Sequence, residues 1–487
     1  MGSTPSSGNR AGKTLMAGFA RDAGWALVGR LLSKVAAVIV VAGLARLLGR
    51  DDFGRYLLIV SVAGVYSFIA DLGLSQAVVP LVARADVGGN PADGARTIMY
   101  AWRLMAIGGA AAVSLAVSPA GRWLVDLLGG GKDDTVTLGL ALMIGVLGVV
   151  KAAQLLAGEM FRSFGDVRAA SFHGELLPSI ALAASIAALV AGLRNVSLMT
   201  ALIVAASAPA LMGAVSWVAF LRRYGSHSPA TRGYLQGARH DGATSERELL
   251  QAALPLLGHR LAMYVATQAD LWVAGALLGV SAVAGYGAAT RLLILMDVPL
   301  VVSNLALAPR IARYLHEGRD AELQEEITRA TAFVGLIGWS GLAFVVLFRG
   351  PILDLVFGSG YGAIGSQIIP ILALGHAVFY WSGPSSLSLI MAGEQRLLLV
   401  ISVLSAAVMA VAALVLGETL GIRGIALAAA SGTALHNAIT WFAVKYRLQL
   451  RTDFRLKGLR EGRAVVQRWA RTEDWRNPSQ MQDDECS

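Results

Sequence analysis

Basic side chains stand out in this sequence because several of them interrupt long apolar runs. Arg30, Lys34 and Arg260 each lie well inside such a run. A charged side chain at the centre of a bilayer is costly, so residues of this kind usually face a cavity and serve a function. Guanidinium groups hold phosphate oxygens through paired hydrogen bonds, and an ammonium group adds a point charge. The three cations therefore predict a cavity that attracts a phosphate or a pyrophosphate group.

The spacing of these polar residues supports the same prediction. Lys34 follows Arg30 by one helical turn, and Arg260 begins a stripe of polar side chains at steps of four residues. The alternative is that the cations pair with buried carboxylates or extend to the lipid headgroups. The residues predicted to line the cationic cavity are Arg30, Lys34, Arg103, Arg260, Tyr264 and Gln268.

Other ionisable residues in the apolar runs allow more than one interpretation. Lys151 and Arg291 lie nearer to the ends of their runs, where snorkelling to the headgroups is as reasonable as lining a cavity. Asp270 and Asp297 are candidates for ion coupling, because a buried carboxylate in a transporter can carry H⁺ or bind Na⁺. Their alternative role is to cap a helix or pair with a buried arginine. Asp71 opens a turn and is predicted to be structural.

The composition places these residues in a membrane protein. The chain has 487 residues, of which 55% are hydrophobic and only 15% charged, and its mean hydropathy is +0.60. Soluble domains carry about 25% charged residues, so a soluble enzyme and a disordered chain are excluded. Twelve apolar stretches are long enough to span a bilayer, near 23–45, 56–79, 98–118, 136–158, 173–193, 197–220, 249–278, 284–308, 328–348, 367–391, 397–416 and 424–444.

The distribution of cations predicts the orientation of these spans. Of the 41 Lys and Arg residues, 27 fall in segments on the same side as the N terminus and 8 on the opposite side. Cytoplasmic loops are enriched in Lys and Arg, so both termini are predicted to be cytoplasmic. The net charge of +9 then reflects membrane topology, and no nucleic-acid partner is predicted.

Short motifs recur in the two halves of the chain at a nearly constant offset of 228–230 residues. An offset of six spans predicts two lobes in the same orientation, related by a pseudo-two-fold axis along the membrane normal. The predicted organisation is a disordered tail (1–20), an N-terminal lobe (21–220), a linker (221–248), a C-terminal lobe (249–445) and a cytoplasmic tail (446–487). The matching segments are Leu47-Leu48-Gly49 with Leu277-Leu278-Gly279, Pro80-Leu81-Val82-Ala83-Arg84 with Pro309-Arg310-Ile311-Ala312-Arg313, and Gly165-Asp166-Val167-Arg168 with Gly393-Glu394-Gln395-Arg396.

Motifs of enzymes and metal sites are not evident in the sequence. The run Gly129-Gly130-Gly131-Lys132 lacks both the first glycine and the Ser or Thr of a phosphate-binding loop. The single cysteine, Cys486, and the spacing of the histidines predict no metal site and no disulfide. The sequence therefore predicts a secondary transporter without catalytic residues, a metal or an organic cofactor.

Several motifs resemble those of a known family. The segments Ala45-Arg46-Leu47-Leu48-Gly49, Phe53-Gly54-Arg55-Tyr56 and Asp71-Leu72-Gly73-Leu74 are similar to the N-terminal signature of Wzx-type bacterial polysaccharide exporters. Asp270, Gly285-Tyr286 and the run Gly421-Ile422-Arg423-Gly424 resemble parts of the second half of that family. The resemblance covers most of residues 20–445 and places the chain in the multidrug/oligosaccharidyl-lipid/polysaccharide exporter (MOP) superfamily.

This resemblance implies an all-α polytopic membrane protein of MATE-like architecture, with two lobes of six helices. It also implies flipping of an undecaprenyl-pyrophosphate-linked oligosaccharide repeat unit across the bacterial inner membrane. A cationic cavity would take the pyrophosphate and the sugars while the polyprenyl tail stays in the lipid bilayer. A glycan polymerase and a chain-length regulator are the implied protein partners.

Two other transport functions remain as alternatives. A drug/cation antiporter of the same superfamily would need an acidic cavity, whereas the deep charges here are mainly basic. A flippase of the peptidoglycan lipid precursor usually has more spans than the twelve counted in this sequence.

Overall fold

The computed structural model describes residues 7–87, 91–127, 134–193, 196–225 and 245–457. These residues form α-helices joined by short turns, and none of them lies in a β-strand. The predicted all-α fold class is therefore confirmed. The glycine-rich run 129–132, most of the predicted linker (226–244) and Cys486 lie outside the described residues.

The helices are named here in chain order, and π-helical turns at Phe172–Leu176 and Leu221–Gly225 continue α6 and α8. Their bounds are α1 Ser7–Asp71, α2 Leu74–Val87, α3 Pro91–Val117, α4 Pro119–Leu127, α5 Asp134–Ser163, α6 Val167–Ser171, α7 Leu177–Gly192, α8 Leu198–Phe220, α9 Glu246–Leu278, α10 Val280–Met296, α11 Val298–Glu317, α12 Asp320–Leu347, α13 Arg349–Phe357, α14 Tyr361–Ser382, α15 Ser385–Met391, α16 Gln395–Leu420 and α17 Ile422–Arg447.

Each of the twelve predicted spans lies on helical segments of the structure. Ten helical stretches among the described residues are long and apolar enough to cross a membrane. The first of them, Val28–Ala85, has 58 residues and includes most of the first predicted span and all of the second. The twelfth predicted span, 424–444, lies in α17, a continuous helix of 26 residues that is less apolar than the ten.

The backbone carries the internal repeat that the sequence predicts. Gly49 (φ 73°, ψ 174°) interrupts α1, and its repeat partner Gly279 (φ 82°, ψ 175°) separates α9 from α10. Gly165 and Gly393, another predicted pair, have φ values of 75° and 81°. Residues with a side chain rarely adopt these conformations, so a glycine is required at equivalent turns of both halves.

Two helices begin earlier in the chain than the predicted spans. The first helix begins at Ser7, inside the segment predicted to be a disordered tail (1–20). Residues 7–20 contain no proline and several good helix formers, so the helix of the first span extends through them. The seventh span begins at Glu246 rather than at 249, because the Ser245 hydroxyl caps the helix by accepting a hydrogen bond from the Glu248 N–H.

The described chain divides into two compact packing units. The first comprises residues up to Leu295, with Phe348–Leu372 and Ser402–Ala429. The second comprises Met296–Leu347, Ala373–Ile401 and the chain from Ala430 onward. The border between the units falls inside the predicted C-terminal lobe, so the lobe boundaries at 21–220 and 249–445 stay a prediction.

The start of the predicted cytoplasmic tail is an ordered part of the second unit. Leu450 and Thr452 are buried there. The side chain of Gln324 exchanges two hydrogen bonds with the backbone of Arg451, at 2.6 and 2.7 Å. The Phe454 N–H donates to the Trp381 carbonyl at 2.9 Å. Residues 448–457, called the C-terminal strap below, therefore hold several helix ends together. The sequence does not reveal this role, because the segment appears only as a polar stretch after the last span.

A truncation series should show how much the strap stabilises the protein. We expect a chain ending at Arg447 to lose roughly 2 kcal/mol of unfolding free energy, the contribution of burying one large apolar side chain such as Leu450. A chain ending at Lys457 keeps the strap and is the control. Thermal unfolding in detergent, followed by circular dichroism, measures both variants. Equal melting temperatures would contradict the stabilising role of the strap.

Candidate functional site

Arg260, the best predicted cavity residue, is bound to a buried carboxylate in the first unit. Its Nη1 lies 3.3 Å from Oδ2 of Asp71 and donates to the Ser75 hydroxyl at 2.7 Å. Asp71 is fully buried at the end of α1 and also accepts hydrogen bonds from the hydroxyl and the N–H of Ser75. The guanidinium also lies 5.1 Å from the centre of the Phe68 ring. Arg260 therefore ties α9 to the junction of α1 and α2.

The other two predicted arginines form more exposed ion pairs. Nε of Arg30 lies 3.7 Å from Oε1 of Glu175, which stands in the π-helical turn after α6. Nη1 of Arg103 lies 3.0 Å from Oε1 of Glu246, although 70% of the Arg103 side chain is exposed. Exposed pairs of this kind contribute little stability, so an incoming anion can replace the carboxylate at low cost. Lys34 makes no ion pair with the described residues.

Tyr264 is held in a fixed position between helices. Its hydroxyl donates to the Ser61 carbonyl at 2.8 Å, and its ring meets the Phe68 ring edge-on at 5.2 Å between centroids. The ring lies over Gly64, where a Cβ would come within 2.3 Å of the Tyr264 Cζ. Gln268, one turn further along α9, is partly exposed. The polar stripe predicted on α9 thus contains one anchored arginine and one anchored tyrosine.

The two acids predicted to couple ions have different surroundings. Asp270 accepts hydrogen bonds from the Tyr286 hydroxyl at 2.6 Å and from the Leu271 N–H at 2.8 Å. Asp297 lies at the break between α10 and α11, in the second unit, with Oδ1 3.6 Å from Nε2 of His376. In the described part of the chain, no group of three or more His, Cys, Asp or Glu could hold a metal ion. Ion coupling at either acid stays a prediction.

Lys151 is the cation that the sequence analysis left undecided. It lies in α5, twelve residues before the helix ends at Ser163, which is about 18 Å at 1.5 Å per residue. Its side chain is exposed, and its Nζ lies 5.2 Å from the centre of the Tyr264 ring. The predicted span ended at 158, seven residues after Lys151, whereas the helix continues to Ser163. The lysine is therefore farther from the end of its helix than the sequence predicts.

Lys151 belongs to a group of three cations, called the cationic cluster below, with Arg260 and Arg291. The positive charges of both arginines act on Lys151, and that of Arg291 also acts on Tyr264. Asp71 neutralises Arg260, whereas Lys151 makes no ion pair with any described residue. An exposed lysine that is repelled by neighbouring cations attracts anions.

The sequence and the fold match known families and structures. The family model described as "Polysaccharide biosynthesis protein" matches residues 19–315, and the MatE model matches residues 255–415. An inward-facing multidrug resistance MATE transporter of the MOP superfamily is similar at a TM-score of 0.68 and 19% identity, over 86% of this chain and 94% of that chain. No curated relative matches the chain.

Two further solved structures share the fold at lower similarity. An outward-facing multidrug resistance MATE transporter has a TM-score of 0.60 and 17% identity, over 88% of this chain and 95% of that chain. A MOP superfamily transporter from Pyrococcus furiosus, described as having a binding pocket of reverse polarity, has a TM-score of 0.59 and 18% identity over the same shares. These structural similarities confirm the predicted MATE-like, two-lobe fold class, and the two family models together with this fold support the predicted MOP superfamily.

Proposed function

Because this chain belongs to the family of polysaccharide biosynthesis proteins, we propose that it flips an undecaprenyl-pyrophosphate-linked oligosaccharide repeat unit across the membrane. The family and the fold support a MOP superfamily transporter, and we propose that it acts without enzymatic chemistry. The proposal adds the cargo, a lipid whose headgroup joins a diphosphate to sugars. The observation that carries it is the cationic cluster, which lies within membrane-spanning helices.

The charge of the candidate site favours an anionic cargo over a cationic one. The positive charge of Arg291 on α10 acts on Lys151 on α5, and Arg30 and Arg103 are partly or largely exposed. A drug cation would be repelled by these side chains, whereas a diphosphate would be attracted and hydrogen-bonded. The transporter from Pyrococcus furiosus with its pocket of reverse polarity makes a difference in cargo within one fold reasonable.

The proposed cycle follows from the chemistry of such a lipid. The diphosphate binds the basic side chains, the sugars occupy the water-filled space beside them, and the polyprenyl tail stays in the bilayer. Alternation between inward- and outward-open forms then moves the headgroup across. We place the protein in the bacterial inner membrane with both termini in the cytoplasm, and we assign a glycan polymerase and a chain-length regulator as partners. Asp270 and Asp297 are the proposed sites for coupling to H⁺ or Na⁺.

A reconstitution experiment tests the cargo. The purified protein is placed in liposomes containing undecaprenyl-diphosphate-linked N-acetylglucosamine with a fluorophore on the sugar. Membrane-impermeant dithionite quenches only the probe in the outer leaflet. We expect the protein to make the inner-leaflet probe accessible within the assay time, because a flippase moves it outward continuously.

Two comparisons separate this function from its rivals. Protein-free liposomes should keep the inner-leaflet probe protected. Drug antiport is measured in the same liposomes as ethidium release driven by a proton gradient. We expect the release rate with the protein to equal the rate in protein-free liposomes. Accelerated ethidium release without movement of the lipid probe would replace the flippase with an antiporter.

A further inference from the structure

The position of Lys151 directs its ammonium group into the protein rather than toward lipid. The neighbouring Ala152 and Gly148 on α5 are buried. The Nζ lies against the ring of Tyr264, which is itself fixed to the Ser61 carbonyl on α1. The lysine side chain is nevertheless exposed. The exposed side chain of Lys151 therefore lies beside Tyr264 of α9, on a helix long enough to span the membrane.

The contact with Tyr264 positions the ammonium group but leaves it able to bind an anion. An ammonium group has three N–H donors, and an aromatic face attracts its charge without accepting all of them. Gly64 leaves room for the Tyr264 ring, and the Tyr264 hydroxyl is already used by Ser61. The ring is thus a rigid support for Nζ, which belongs to an exposed side chain.

The charges around Lys151 favour an anion as its partner. Arg260 and Arg291 both repel the lysine. Two carboxylates that could offset this repulsion are already used, since Asp71 binds Arg260 and Asp270 accepts the Tyr286 hydroxyl. A group with two or more negative charges would offset the repulsion that Arg260 and Arg291 exert on Lys151, and it would accept a charge-assisted hydrogen bond from the lysine.

We propose that Lys151 is the residue that binds the diphosphate of the cargo, and that Arg260 is a positioning residue which anchors α9 so that Tyr264 supports the lysine. This inference rests on the proposed function for the identity of the cargo. It differs from the sequence prediction, in which Arg260 touches the cargo and Lys151 either lines the cavity or snorkels to the headgroups. The ligand chemistry is a diphosphate with or without a lipid attached.

The test compares Lys151→Gln and Lys151→Arg in the liposome assay with the fluorescent diphosphate lipid. We expect Lys151→Gln to slow flipping at low probe concentration by roughly tenfold or more, the loss expected for one charge-assisted hydrogen bond. Raising the probe concentration should restore much of the rate, because the defect lies in binding. Lys151→Arg keeps the charge and should stay within a few-fold of the wild type.

Lys445→Gln is the matched control. Lys445 also lies over an aromatic ring, with Nζ 5.1 Å from the centre of Trp441, but it stands in the last turn of α17, in the second unit. Its loss should leave flipping unchanged. Equal flipping by Lys151→Gln and the wild type would overturn the role of Lys151 while leaving the proposed function intact.

A binding measurement keeps the two proposals separable. Inorganic pyrophosphate should raise the melting temperature of the wild type and of Lys445→Gln, but not of Lys151→Gln, with melting curves in buffer confirming that all three are folded. A Lys151-dependent shift without any flipping by the wild type would support the anion site and reject the flippase. An equal shift in all three proteins would mean that pyrophosphate binds elsewhere, and it would overturn the site. The free diphosphate and the lipid-linked probe thus report separately on the headgroup and on the whole cargo.

Discussion

Replacing Arg260 by methionine should lower the free energy of unfolding by about 3–5 kcal/mol, the usual cost of removing one partner from a buried ion pair. The Asp71 side chain is 1% exposed, and that of Arg260 is 20% exposed. Without the guanidinium, the buried carboxylate of Asp71 would keep its hydrogen bonds to Ser75 but lose its ion pair. Denaturant titration in mixed detergent micelles measures the loss.

Two variants serve as controls for this prediction. Arg30→Met breaks an ion pair whose two side chains are each 39% exposed, so it should cost no more than about 1 kcal/mol. The double variant Arg260→Met/Asp71→Asn removes the stranded charge, so it should be more stable than Arg260→Met alone. If Arg260→Met and Arg30→Met cost the same, Asp71 does not depend on Arg260 and the anchoring role fails.

This stability effect changes how a transport defect at Arg260 is to be interpreted. A loss of transport in an Arg260 variant follows from release of α9 whether or not the guanidinium touches cargo. The same loss at Lys151 has no such explanation, because no carboxylate among the described residues depends on that lysine. Transport measurements on the two variants are therefore informative only when each is paired with its melting curve.

The large features of the fold could be predicted because the bilayer restricts the choices. Backbone polar groups inside a bilayer must be hydrogen-bonded within the protein, and an apolar run of about 20 residues achieves this as an α-helix, so the twelve spans followed from composition. The repeat could be recognised from the constant spacing of short motifs. These motifs include glycines such as Gly49 and Gly279, because both halves need a positive φ at equivalent turns. Both inferences use only local sequence and the thickness of the membrane.

The contacts of the candidate site could not be predicted in the same way. Arg260 and Asp71 are 189 residues apart, and their pairing depends on the rotation of two helices about their axes, which hydropathy does not encode. Lys151 was left undecided because the true helix extends to Ser163 rather than 158. The C-terminal strap was missed because its order comes from side chains on distant helices, such as Gln324.

Close packing near the start of the second span should make Gly54 intolerant of any side chain. Gly54 is helical, so its backbone would suit alanine, and helix propensity alone would favour the change by about 0.5–1 kcal/mol. A Cβ at this position, however, would lie 1.9 Å from the carbonyl oxygen of Val280 and 2.8 Å from its carbonyl carbon. Both obstacles are backbone atoms, which cannot rotate away as a flexible side chain would.

Gly54→Ala should therefore destabilise the protein by about 3 kcal/mol, at the upper end of the cost of overpacking, and lower its melting temperature in detergent. Gly213→Ala is the control, because Gly213 is also helical but has nothing within 4 Å of the added Cβ, so that variant should be as stable as the wild type or slightly more. The adjacent Phe53 is fully buried, with its ring edge-on to Tyr361 at 5.9 Å between centroids, which prevents the helix from shifting to make room. If both alanine variants raise the melting temperature, the helices at this contact lie farther apart than the structure places them.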